Sequence, residues 1–306
     1  LEELADRIID AFWPASGKRR IIEAHLPSED AWSESTAMVI TYGDSLKKEG
    51  EYPLHTLHRF LNENLKGTIN SVHILPFFPY SSDDGFSVMD YDEVREDLGN
   101  WDDVKAIGSD FALMSDLVLN HASSRGEWFQ KFLACEDKYK DFFYTAPEGS
   151  DVSAVVRPRP SPLLVAVDTA EGLKHVWCTF GADQVDLNFA NPDVLVEFVR
   201  VMRLYLDYNV RIFRMDAVAF VWKELGTSCI HLPQTHEIVR MFRTLTDYFR
   251  DDVLIITETN VPHHENLTYF GNQNEAHLIY NFALPPLLIQ GLLTGSEYYL
   301  KKWLME

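Results

Sequence analysis

Two segments of the chain decide the fold. Residues 211–217 read RIFRMDA and residues 254–259 read LIITET, so each is an apolar run that ends in one carboxylate, Asp216 or Glu258. Continuous apolar runs of this length predict strands that are buried on both faces, as in parallel sheets. In parallel α/β barrels the side chains at the C-terminal ends of the strands form the active site. We therefore expect the two carboxylates to converge on one pocket.

Apolar runs and helical patterns alternate along most of the chain, which predicts a parallel sheet with helices outside it. In the segment 191–208, Asn191 suits a helix N-cap, Pro192 suits the first turn, and the apolar residues form one stripe. The predicted strands are 38–42, 71–76, 111–119, 211–216, 253–258 and 276–281, and the predicted helices include 55–65, 191–208 and 236–249.

Six strands fit into the chain, whereas a closed (β/α)8 TIM barrel needs eight. We therefore expect a truncated barrel in a fragment of a longer protein, with an open doubly wound sheet as the rival fold. A long polar interval that contains RPRPSP at 157–162 breaks the alternation and predicts an insertion after the third strand. The expected parts are an N-terminal helical extension (1–37), the first part of the barrel (38–121), an insertion subdomain (122–187) and the incomplete continuation of the barrel (188–306).

Composition narrows the class of protein. The formal net charge of −20 argues against a nucleic-acid surface. We find neither a signal peptide nor an apolar run long enough for a membrane span. Three widely spaced cysteines match no metal-binding pattern, and they are typical of a cytoplasmic protein with reduced thiols. The sequence does not indicate an oligomeric state.

Three motifs, in family order, resemble glycoside hydrolase family 13, the α-amylase superfamily. They are DLVLNH at 116–121, RMDA at 214–217 and the glutamate of IITET at 258. The segments VHILPFFP at 72–79, DDGF at 83–86, RPRP at 157–160, GTSC at 226–229 and NFALPP at 281–286 resemble its sucrose-phosphorylase group. The resemblance runs from about Met38 to Trp303. It implies a third catalytic carboxylate, which we expect beyond Glu306.

One departure from the group is informative. Sucrose phosphorylases follow the acid/base glutamate with Val-His-Ser, whereas residues 259–263 read TNVPH, which resembles glucosylglycerate phosphorylases and related glucosylglycerol enzymes. The resemblance implies a retaining phosphorylase that transfers a glucosyl unit from such an α-glucoside to inorganic phosphate and yields α-glucose 1-phosphate. Three alternatives stay open: a sucrose or sucrose 6-phosphate phosphorylase, an α-glucosidase or transglucosidase, and a non-catalytic scaffold, which would not need both carboxylates.

The resemblance assigns the catalytic roles to the two carboxylates. Asp216 is the expected nucleophile, which forms a covalent glucosyl ester, and Glu258 is the expected acid/base. Arg214, two residues before Asp216, points to the same face of the strand and favours the charged carboxylate. A Glu258 held partly out of water would have the raised pKa that a general acid needs.

Further residues are expected around the substrate. Asp83, His121 and Arg214 resemble the group that holds the glucosyl hydroxyls, and the rings of Phe86 and Phe220 are candidates for stacking on the sugar. Arg159 resembles the group's phosphate- or acceptor-binding arginine, since a guanidinium suits phosphate. His263 is expected near the acceptor. We expect no metal site and no cofactor, with phosphate as co-substrate and a small α-glucoside as the other partner.

Overall fold

The computed structural model describes residues 2–13, 32–249 and 252–305. Residues 14–31 of the expected N-terminal extension lie outside these ranges. A six-stranded sheet forms the centre of the described part, and a smaller group of strands is inserted between its third and fourth strands. In chain order the strands are β1 (Met38–Thr41), β2 (Ser71–Ile74), β3 (Ala112–Val118), β4 (His121–Ser123), β5 (Leu164–Thr169), β6 (Gly172–Trp177), β7 (Gln184–Asp186), β8 (Val210–Asp216), β9 (Leu254–Thr257) and β10 (Leu278–Ile279).

The order of strands in the main sheet distinguishes the two expected folds. The strands lie side by side as β1-β2-β3-β8-β9-β10, and every neighbouring pair is parallel. A doubly wound sheet would reverse its strand order at a switch point, whereas a barrel adds each strand beside the previous one. The sequential order therefore confirms the prediction of a partial (β/α) barrel and excludes the rival.

The helices predicted over 55–65, 191–208 and 236–249 are present, and further helices occur along the described chain. The helices are α1 (Glu2–Phe12), α2 (Pro53–Phe60), α3 (Trp101–Asp110), α4 (Glu127–Leu133), α5 (Pro192–Asp207), α6 (Pro233–Phe249), α7 (His263–Asn266), α8 (Leu284–Thr294) and α9 (Tyr298–Met305). The side chain of Asn191 accepts a bond from the Asp193 amide at 3.0 Å, so the predicted N-cap of α5 is confirmed. The helix predicted over 55–65 is α2 followed by a π-helical turn, Leu61–Leu65.

The N-terminal helix packs on the outer layer. Phe12 is fully buried in the main core, and its carbonyl oxygen accepts a bond from Nη1 of Arg203, on α5, at 3.3 Å. Arg7 forms an ion pair with Asp193 at the start of the same helix. In the described ranges, every helix is too short or too polar to cross a membrane.

Two antiparallel strand pairs build the insertion. β4 pairs with β7, and β5 pairs with β6. Because β4 starts three residues after β3 ends, the β4–β7 pair lies at the C-terminal end of the sheet, where the predicted site residues are. The division of the chain into four parts stays a prediction, and its boundary between 121 and 122 would fall inside β4.

Candidate active site

A pocket of 320 Å³ lies at the C-terminal ends of the parallel strands. The strand-end rule predicts this position, because the last residues of neighbouring parallel strands meet at one edge of the sheet. Seven of the nine predicted site residues line the pocket: Asp83, Phe86, His121, Arg159, Arg214, Asp216 and Glu258.

Arg214 is the electrostatic centre of the pocket. Its Nη1 donates to Oδ1 of Asp116 at 2.6 Å and to Oδ1 of Asp216 at 2.5 Å, and its Nη2 lies 4.0 Å from Oε1 of Glu258. The guanidinium carbon is 5.5 Å from the ring centroid of Phe86 and 5.6 Å from that of Tyr280. One cation thus faces three carboxylates, and two aromatic rings fix its plane.

Asp116 lies behind Arg214, away from solvent. It is fully buried, and its second oxygen is 2.8 Å from Nε2 of His73 on β2. β2, β3 and β8 are neighbours in the sheet, so the three side chains form one chain of contacts across it. Asp116 therefore orients Arg214 and does not face the pocket.

The two lining carboxylates have different surroundings. Burial raises the pKa of Asp216, while the charges of Arg214 and His121 act in the opposite direction. Burial also raises the pKa of Glu258, and the charge of Asp216 raises it further. Because Arg214 bonds directly to Asp216 but only approaches Glu258, the guanidinium favours the ionised form of Asp216 more strongly than that of Glu258.

The backbone after Asp216 helps to hold Glu258. Ala217 has a left-handed φ of 48°, and its amide donates to Oε2 of Glu258 at 3.0 Å. The same residue thus ends the strand and bonds the second carboxylate. A left-handed non-glycine residue is held only where its surroundings fix it, and such residues are common at functional sites.

Gln184 links two of the predicted glucosyl contacts. Its Nε2 donates to Oδ2 of Asp83 at 2.9 Å and lies 3.1 Å from Nε2 of His121. Burial lowers the pKa of His121, which favours the neutral ring, and its Nε2 lies 2.9 Å from the carbonyl oxygen of Phe86. Sequence reasoning missed Gln184, Asp84, Phe180 and Tyr42, which also line the pocket. Two of these four residues had a signal in the sequence: Tyr42 directly follows β1, where the strand-end rule applies, and Asp84 lies in the DDGF segment at 83–86.

A buried lysine lies beneath His121. Nζ of Lys223 is 2.8 Å from both Oδ1 of Asn120 and Oδ2 of Asp186, and the side chains of Lys223 and Asp186 are almost completely excluded from solvent. Burial lowers the pKa of Lys223, while the charge and the bond of Asp186 act in the opposite direction. In the described part of the chain, no group of three or more His, Cys, Asp or Glu side chains could hold a metal ion.

A second pocket, of 710 Å³, adjoins the first. Phe220 lines this pocket, and its ring centroid lies 5.7 Å from that of Phe180 in the first. Asn260 lines it too, two residues after Glu258. His263 is exposed at the start of α7 and is not among the described residues that line either pocket. The structure therefore separates Phe220 and His263 from the seven residues around the carboxylates.

The proline-rich loop stands between the two pockets. Pro158 lines the second pocket and Arg159 the first. Both ends of the loop are tied down: the amide of Val156 donates to the carbonyl of Ser228 at 3.0 Å, and Oγ of Ser161 donates to the carbonyl of Phe180 at 3.2 Å. This loop, residues 157–162, therefore forms a partition between the two pockets.

Known proteins with sequences similar to this chain include two phosphorylases. The chain is 54% identical over 267 residues to the glucosylglycerate phosphorylase of Spirochaeta thermophila, with 87% of this chain and 46% of that protein covered. It is 49% identical over 276 residues to the glucosylglycerate phosphorylase of Allomeiothermus silvanus, with 90% and 50% covered. The chain thus spans about half the length of these curated relatives.

This chain is similar in fold to the crystal structure of sucrose 6F-phosphate phosphorylase from Thermoanaerobacter thermosaccharolyticum. The match has a TM-score of 0.78 and 29% sequence identity, with 92% of this chain and 59% of that chain covered. The sequence profile described as "Alpha amylase, catalytic domain" matches residues 65–297, which is most of the chain. The chain therefore belongs to the family of α-amylase catalytic domains, glycoside hydrolase family 13.

Proposed function

We propose that the natural-length protein is a retaining phosphorylase of small α-glucosides, and that glucosylglycerate is its preferred substrate. The observation that carries the proposal is the pair Asp216 and Glu258, which face one pocket while a single guanidinium bonds only the first. This is the asymmetry that a nucleophile and a general acid need. The names of the relatives at 54% and 49% identity support the choice of substrate.

The reaction is a double displacement. The Asp216 carboxylate, held ionised by Arg214, attacks the anomeric carbon, while Glu258 protonates the departing oxygen. A covalent glucosyl ester on Asp216 results. Phosphate then attacks the same carbon from the side that the leaving group vacated, the ester bond to Asp216 breaks and frees its carboxylate, and Glu258 takes up the proton of the phosphate. Two inversions retain the α configuration in the product, α-glucose 1-phosphate.

The two pockets divide the substrate. In this proposal the carboxylate pocket holds the glucosyl unit, with Asp83, His121 and Arg214 around its hydroxyls. The second pocket borders the leaving group, because it is lined by Asn260, within the segment that departs from the sucrose pattern. Arg159 is the cation that phosphate or the glycerate carboxylate would meet, since it faces the carboxylate pocket from the partition.

We further propose that the reaction uses no metal and no organic cofactor, with inorganic phosphate as co-substrate. Fixed cations already lie around the carboxylates and beneath His121, namely Arg214 and Lys223. We propose a cytoplasmic location, because Cys135, Cys178 and Cys229 are all free. Small molecules are the expected partners, and neither nucleic acid nor membrane is among them.

The test is phosphorolysis by the natural-length protein of glucosylglycerate, glucosylglycerol, sucrose and sucrose 6-phosphate, with glucose 1-phosphate as the measured product. We expect the highest kcat/KM with glucosylglycerate. A highest value with sucrose would refute the substrate but not the mechanism, and release of free glucose at a rate independent of phosphate would identify a hydrolase.

Arg159→Ala should raise the KM for phosphate about tenfold or more and divert turnover toward water, since one charge-assisted contact is lost.

A further inference from the structure

Asp183, directly before β7, is surrounded by serine hydroxyls. Its Oδ2 accepts bonds from Oγ of Ser81 and Oγ of Ser82, each at 2.6 Å, and its Oδ1 accepts a bond from Oγ of Ser124, also at 2.6 Å. A fourth hydroxyl, that of Ser87, donates to the carbonyl oxygen of Asp183 at 2.6 Å. Four serine hydroxyls thus converge on this one residue.

The hydroxyl protons can all be assigned in one way. Ser81, Ser82 and Ser124 each give their single proton to the carboxylate of Asp183, so the carboxylate has no need of a proton of its own. Burial alone would raise the pKa of Asp183, but the serine bonds outweigh it and the pKa is lowered. The serine hydroxyls therefore stabilise the charged form of Asp183, and its carboxylate in turn is the acceptor for their protons.

Two of the serines begin the turn that carries Asp83. In that turn Asp83, Asp84 and Gly85 have left-handed φ values of 55°, 50° and 108°. Such conformations persist only when the surroundings hold them in place. The turn also packs tightly against the residues that follow β2, because a Cβ added at Gly85 would lie 2.9 Å from Cβ of Pro76.

The residue after Asp183 acts on the same turn. Gln184 donates directly to the carboxylate of Asp83 at 2.9 Å. Asp83 is thus held twice from one stretch of chain, at its backbone through the serines and at its side chain through the glutamine. Neither contact has a local sequence signal, because about a hundred residues separate the partners.

We propose that Asp183 is a positioning residue that sets the direction of Asp83 in the glucosyl pocket by holding the turn Ser81–Gly85. It touches no substrate itself. The inference rests on the proposed function in one respect, that Asp83 contacts the glucosyl unit. Asp183 acts on every substrate alike, because the glucosyl half of the site is common to all of them.

A double-mutant cycle on the natural-length protein tests this role, with the best α-glucoside of the panel as substrate. We expect Asp183→Ala to lower kcat/KM about tenfold or more, and Asp183→Asn to restore part of the loss, because the amide oxygen still accepts. In an Asp83→Ala background, Asp183→Ala should change kcat/KM by less than about twofold, since a residue that acts through Asp83 has nothing left to position. Equal losses in both backgrounds would overturn the proposal.

Asp110, at the other end of the sheet, is the matched control. Its carboxylate also accepts three bonds, from Lys66 at 2.9 Å, Asn62 at 3.0 Å and His58 at 2.8 Å. Asp110→Ala should leave kcat/KM within about twofold of the unsubstituted protein, although it too loses stability. An equal loss of activity in this control would show a general effect of unfolding and overturn the role of Asp183.

A second pair of variants and a binding measurement cover the cases in which Asp183→Ala does not fold or turns over too slowly. If Asp183→Ala does not fold, the pair Ser81→Ala and Ser82→Ala removes the same hold on the turn and enters the same cycle with Asp83→Ala. Affinity for glucose, measured by calorimetry, replaces kcat/KM where turnover is too slow, with the same pattern expected. An unsubstituted protein that turns over no α-glucoside would refute the proposed function, whereas an active protein with an additive cycle refutes only the role of Asp183.

Discussion

Replacement of Arg214 by methionine removes the one cation that bonds both Asp116 and Asp216. Each of these bonds is charge-assisted, at 2.6 and 2.5 Å, and each carboxylate is buried. Two such bonds at the low end of about 1.5 kcal/mol each sum to about 3 kcal/mol of folding stability, which Arg214→Met should lose. Because an adjacent arginine lowers an aspartate pKa by about one to three pH units, its loss should raise the pKa of Asp216 by a similar amount.

The direction of the pH effect follows from the role of Asp216. The carboxylate reacts as an anion, so activity is present above its pKa and is lost as the pH falls through it. In Arg214→Met the pKa is higher, and the loss should therefore begin at a higher pH than in the unsubstituted protein. The measurement is kcat/KM for α-glucosyl fluoride with excess phosphate, from about pH 4.5 to 8, because this donor needs no protonation by Glu258.

Arg200 provides the matched control for this prediction. It also joins two carboxylates, Asp92 at 2.8 Å and Glu197 at 2.7 Å, but it lies on α5 with its side chain 40% exposed. Arg200→Met should leave the pH profile unchanged. The reasoning is refuted if Arg214→Met keeps the original acid limb, or if Arg200→Met moves that limb as far. Arg214→Lys keeps the positive charge but loses the planar guanidinium. Its acid limb should therefore lie between those of the unsubstituted protein and Arg214→Met.

Three other outcomes are expected. Asp216→Asn should reduce turnover by several orders of magnitude while circular dichroism stays native, and substantial retained activity would exclude it as the nucleophile. Glu258→Gln should lose far more activity on glucosylglycerate than on α-glucosyl fluoride and should accumulate a glucosyl adduct visible by mass spectrometry; equal losses without an adduct would count against its role. Lys223→Met leaves the buried charge of Asp186 unpaired and should destabilise the fold by about 3–5 kcal/mol. The melting temperature reports this, and Lys301→Met, at an exposed pair with Glu297, should change it little.

The sheet could be predicted from the sequence because each strand has a local signal, a short apolar run. The apolar runs before Asp216 and Glu258 became β8 and β9, and their order in the chain became their order in the sheet. The meeting of Asp216, Arg214 and Glu258 in one pocket then follows from topology alone, since parallel strands end at one edge. Element ends were less predictable: β10 covers only Leu278–Ile279 of the expected 276–281.

The insertion was expected, but the contacts that it and the loops form were beyond such reasoning. Gln184 meets Asp83 only after the insertion has folded back over the sheet, and no periodic pattern marks that contact. Nearness in sequence also misleads at His263. Thr259 is buried and its hydroxyl bonds Oδ1 of Asn266 at 2.5 Å, so the chain turns into α7 and carries the histidine outward. Tertiary contacts, and not local preference, decide where such residues lie.

The partition has a consequence for changing the specificity of this protein in the laboratory. Pro158 and Arg159 are neighbours in the chain but line different pockets. Any insertion or deletion in this loop therefore alters both pockets at once. Three prolines, at 158, 160 and 162, restrict the backbone further, because each fixes its own φ and constrains the residue before it. Libraries that vary side chains at constant loop length should therefore yield new leaving-group preferences, whereas libraries that vary the length should lose phosphate use together with the old preference.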